Sequence, residues 1–118
     1  MITHPKTEEL VESVALWLEQ IRPSLDPRNA FLSRVAANAL RTVGRELTLG
    51  PAAEARAVRL MADLLDHPGD FVELNAELCT HIRAGEITEA TPGLLAALHT
   101  MAIDQLAIDQ PSYKHEAP

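Results

Sequence analysis

The chain has 118 residues, 47% of them apolar but only 3% aromatic, and a formal net charge of −7. That length fits one domain whose core needs no metal or disulfide, and the apolar share excludes wholesale disorder. Net acidity speaks against nonspecific nucleic-acid binding, and the longest apolar run, Leu94 to Leu98, is far short of the ~20 residues a membrane helix needs.

Prolines and glycines divide the sequence into five predicted helices. The first runs from about Pro5 to Ile21, with Leu10, Val14, Trp17, Leu18 and Ile21 at helical spacing. Arg22-Pro23 stops it, because the residue before proline is pushed out of the helical region. The second starts at Asp26, a good N-cap, with Pro27 at the favoured first position. Leu32, Val35, Ala36, Ala39, Leu40, Val43 and Leu47 share one of its faces, and Gly50 ends it. Gly44 weakens this helix by ~1 kcal/mol relative to Ala unless a neighbour packs closely there. The third begins at Pro51 and continues to about Leu65 with an unusually wide apolar surface. The fourth follows Asp70 as N-cap and ends near Ala84, before Gly85. The fifth follows Thr91 as N-cap and Pro92, and runs to about Asp109.

No segment alternates with period two, so the expected fold is all-α, a compact five-helix bundle. Residues 1–109 form the expected helical domain and 110–118 a polar C-terminal tail. Trp17, Leu18, Leu32, Val35, Ala39, Val43, Leu74, Leu78, Leu98 and Leu106 are the expected core. The fifth helix also carries a second strip, Ala96, Ile103 and Ala107. Either it is the central helix or this strip meets a second copy, giving a homodimer.

Charge is split along the chain. Residues 1–21 carry −3, residues 22–59 carry +4 from arginine alone, and residues 60–118 carry −8. Arg34, Asn38, Arg41 and Arg45 lie opposite the apolar face of the second helix. Arginine's planar fork suits carboxylates and phosphates, so this strip reads as a docking site for a partner or anion, or as a solvated face. Asn29, Asn75, Gln105 and Asp109 fall on or beside apolar faces. They read as a polar pocket, or as structural hydrogen bonds that cap helices and fix loops.

No convergent catalytic, cofactor or metal set emerges. Cys79 is the sole cysteine, which excludes an internal disulfide and fits a reducing cytosol. Asp66-His67 resembles the paired ligand of all-helical metal phosphohydrolases, but only His4 precedes it and it sits beside Pro68 in a turn. Glu77 and His81 share a helix face without a matching second pair. The N-terminus shows no apolar signal-peptide stretch.

Arg22 to Leu32 with Val35 to Leu40, Arg45-Glu46-Leu47, Leu49-Gly50-Pro51, Leu74-Asn75 with Leu78-Cys79, Ile82 to Gly85, and Leu106 to Pro111 together carry a family likeness. The chain resembles, from about residue 8 to 113, a family of small all-helical bacterial domains of unknown function. Members are often encoded beside aminoglycoside-phosphotransferase-like kinases and acyl-CoA-dehydrogenase-like enzymes. The resemblance supplies no catalytic residue to transfer. It implies a bacterial, cytoplasmic accessory protein, noncatalytic and acting with a partner enzyme of the kinase-like or acyl-CoA-dependent kind. The alternative is a helical domain that binds a small anionic ligand.

Overall fold

In the computed structural model, which describes residues 5–114, the chain forms four α-helices and one short 3-10 helix. They are α1 (Thr7–Ile21), the 3-10 turn Arg22–Ser24, α2 (Pro27–Leu65), α3 (Phe71–Arg83) and α4 (Leu94–Asp109). No strand occurs among the described residues. His4 and residues 115–118 of the expected tail lie outside them.

The expected five-helix bundle is therefore corrected in one place and for one reason. The second and third predicted helices are a single helix of 39 residues, with Pro51 inside it. Proline's fixed φ is compatible with a helix, but its missing N–H leaves the Leu47 carbonyl without its usual donor. Gly50 precedes it, and glycine has no Cβ to collide with the proline ring. Beyond it the run Ala52, Ala53, Ala55 and Ala57 consists of the best helix former. Continuing an existing helix also avoids the costly nucleation of a new one.

Contacts gather into two compact units, Met1–Gly50 and Pro51–Pro118. The first unit is a helical hairpin. Asp26 caps the start of α2, accepting hydrogen bonds from the Asn29 backbone N–H and from Asn29 Nδ2 at 2.6 Å. The helices meet through small residues. Ala15, Ser33 and Ala37 are buried, and a Cβ placed on Gly44 would lie 3.8 Å from Val11 Cγ1. The buried Ser33 hydroxyl donates to the Ala30 carbonyl.

The second unit holds the larger core. Ala57, Met61, Leu74, Leu78, Ile87 and Leu94 form one buried cluster, with Met61 and Leu74 fully enclosed. Ala97 and Ile108 are buried as well. Asp66 ends α2 in the left-handed conformation (φ 60°), and the His67 N–H closes the end by donating to the Ala62 carbonyl. Asp70 caps α3, accepting from the Glu73 N–H at 2.8 Å. α4 starts at Leu94, later than expected. Thr91 closes the preceding turn instead, accepting from the Thr88 N–H, and Gly93 takes the positive φ that precedes the helix. Arg56 and Asp104 tie α2 to α4 through two parallel hydrogen bonds of 2.8 and 3.0 Å.

The expected core holds only in part. Leu74 and Leu78 are buried, while Leu18 and Leu106 are half-buried. Trp17, Leu32, Val35, Ala39, Val43 and Leu98 are exposed, Trp17 at 56% of its surface. The reason lies in the hairpin. Its helices approach along Ala15, Ser33, Ala37 and Gly44, which leaves Trp17, Leu32, Val35 and Val43 on one flank, while Leu16 and Phe31 are exposed elsewhere on the hairpin.

Candidate functional site

The arginine strip divides once the helices are placed. Arg34 and Asn38 are exposed on α2. Arg41 turns towards α1, where it pairs with Glu19 and, at 3.3 Å, with Glu12. Those two carboxylates raise the Arg41 pKa, and the Arg41 guanidinium holds the Glu19 carboxyl below the usual carboxylate range. Arg45 donates to Thr42 Oγ1. An open cleft of about 420 Å³ is lined by Glu8, Glu12, Arg41, Arg45 and Thr48. The strip is thus a mixed-sign surface, with both signs of charge around one cleft.

The four polar residues singled out from the sequence do not converge. Asn29 lies in the Asp26 cap described above. Asn75 is exposed on α3. Gln105 Nε2 donates to Asp109 Oδ2 at 2.9 Å along α4. The first belongs to the N-terminal unit and the others to the C-terminal unit.

A histidine–glutamate cluster joins the end of α2 to α3. His67 Nδ1 faces the Pro68 carbonyl at 2.9 Å and its Nε2 faces Glu77 Oε2 at 2.5 Å. His81 places Nδ1 against Glu86 and Nε2 3.7 Å from Glu77 Oε1. Each ring nitrogen of His67 thus has an acceptor in hydrogen-bond range, and only an imidazolium donates from both. The His67 pKa is raised, first by the Pro68 carbonyl and then by Glu77; that of His81 is raised chiefly by Glu86. Among the described residues, no group of three or more His, Cys, Asp or Glu side chains is placed to hold a metal ion.

Two further clefts of about 350 Å³ each adjoin in the C-terminal unit, sharing Leu60, Asp63 and Thr100. One is lined by Leu64, Pro92, Gly93 and Ala97, the other by Arg56 and Arg59.

The feature that sequence reasoning misplaces is apolar. Leu10, Val14 and Trp17 on α1 and Leu32, Val35, Val43 and Leu47 on α2 are all at least 40% exposed. At 100° per residue, the α1 stripe lies to one side of the Val11–Ala15 line that meets α2, and Glu12 and Glu19 lie to the other. The α2 stripe lies opposite Arg41 in the same way. Because the two helices run antiparallel, both stripes fall on one side of the hairpin and the charges on the other. The sequence carries this signal as two amphipathic stripes, which periodicity alone assigns to a core.

A search of family descriptions matches residues 23–113 to a domain of unknown function. No curated protein and no solved structure matches the chain. No helix of the described residues is long and apolar enough to cross a membrane.

Proposed function

The chain belongs to the DUF6285 family of domains of unknown function, and from that premise we propose that it is a noncatalytic interaction domain acting with a partner enzyme. The observation that carries the reading is the apolar side of the N-terminal hairpin. Seven large side chains exposed along one side exceed the scattered apolar residues that any surface carries, and such patches mark binding surfaces. The resemblance to domains encoded beside aminoglycoside-phosphotransferase-like kinases and acyl-CoA-dehydrogenase-like enzymes supplies the class of partner, and a bacterial cytoplasm as the compartment. Affinity capture of the tagged chain from its native host should recover such an enzyme, and Trp17→Lys should lower the yield. Recovery of neither enzyme class over several growth conditions, with the chain folded, would overturn the proposal.

A second reading, binding of a small anionic ligand, has the cleft beside Arg56 and Arg59 in its favour. A thermal-shift screen with acyl-CoA, nucleotides and sugar phosphates tests it. A shift with one anion, abolished by Arg59→Ala, is the expected result; no shift with any of them would end this reading.

A further inference from the structure

The apolar side of the hairpin requires an occupant, and three observations select one. We propose that it is a second copy of this chain, docked antiparallel so that two hairpins close into a four-helix bundle. The inference rests on the reading of this side as an interaction surface and assigns it to a second copy, so that a partner enzyme engages the chain as that dimer.

The first observation is the missing core. Ala15, Ser33 and Ala37 are the buried residues of the N-terminal unit among those described, and none is large. A unit of this size does not stabilise itself on three small residues, and oligomerisation is a standard remedy. A partner needed for folding must be at hand whenever the chain is made, which a second copy always is.

The second is area. Seven half-exposed side chains, one of them Trp17, leave roughly 600 Å² of apolar surface on this side. A stable interface takes about 800 Å² from each partner, so this patch with a polar rim suffices.

The third is register. Arg28 and Glu46 are both exposed, and neither forms an ion pair among the described residues. They stand five full helical turns apart, so they point the same way from α2. The stripe Leu32, Val35, Ala39, Val43 is centred between them, near residue 37. A two-fold axis crossing α2 at that level sets α2 antiparallel to its copy. Leu32 then faces Val43, Val35 faces Ala39, and Arg28 of each copy faces Glu46 of the other. The approach of Gly44 to Val11 places that level near Leu18 on α1, between Trp17 and Ile21. In this arrangement the Glu12–Arg41–Glu19 side remains in water.

The test is sedimentation equilibrium of the full chain, with Trp17 quenching by acrylamide measured alongside. The expected result is a species of twice 12.9 kDa with Trp17 shielded, which Trp17→Lys converts to monomer. Arg28→Glu and Glu46→Arg should each weaken association about tenfold by setting like charges opposite, and the double variant should restore it. A dimer split by Leu95→Lys on α4 but not by Trp17→Lys overturns the inference, as does a double variant that fails to restore association. A monomer with Trp17 open to quencher overturns the inference but leaves the interaction reading standing. A monomer with Trp17 shielded overturns both.

Discussion

Gly44 offers a direct measure of how closely α1 packs on α2. A Cβ built there meets Val11 Cγ1 at 3.8 Å, an ordinary van der Waals contact. Gly44→Ala therefore fits without movement. The exchange removes a helix-interior glycine, worth about 1 kcal/mol, and adds a methyl contact worth a few tenths more. With a urea slope of about 1–3 kcal/mol per molar, the midpoint should rise by roughly 0.3–1 M. Trp17 emission and helical circular dichroism, followed at one fixed protein concentration, measure it. Gly69→Ala is the contrasting case. Its Cβ would lie 3.1 Å from Leu74 Cγ and Cδ2, and Leu74 is fully buried, so that substitution should lower the midpoint. An unchanged or lowered midpoint for Gly44→Ala would refute the packing geometry assigned to the hairpin.

Asp66→Gly should stabilise the protein by about 0.5–1 kcal/mol in thermal melts, because glycine takes a positive φ freely and the change removes an anion from a helix C-terminus. Asp70→Ala should cost about 1 kcal/mol by the same measurement, since it strips the α3 cap. The raised His67 and His81 values set a pH dependence. Both favour the imidazolium in the folded chain, so their contribution is complete below the unfolded value near 6.5 and is lost as pH rises through the raised folded values. The melting temperature should fall from pH 6 to pH 8.5, and Glu77→Gln should flatten that slope; a rise over the same interval would contradict it.

How much the sequence disclosed depends on how local each determinant is. Asp26-Pro27 and Asp70 announce their helices because a cap acts within three residues. Gly50-Pro51 misleads because its usual meaning, a stop, depends on the residues beyond it. Here an alanine-rich run takes up the helix on the far side. Periodicity locates the apolar stripes of α1 and α2 but not their burial. Which side of a helix faces its neighbour is decided by the small residues Ala15, Ala37 and Gly44, whose effect appears only when two helices meet. Arg41 shows the same limit for the candidate site. Its carboxylate partners lie 22 and 29 residues away, so the strip looks cationic from the sequence and is locally balanced in the fold.

The core around Met61 also has a history during synthesis. Met61 leaves the ribosome well before Leu74 and Leu78, and Leu94 and Ile108 come later still. At 5–20 residues per second, Met61 waits about 2–9 s for Ile108, the last buried residue of α4. Through that interval the C-terminal half of α2 stands uncovered, open to chaperones and proteases. A nascent chain halted near Gly85 would have its longest helix complete and the core on that helix still open.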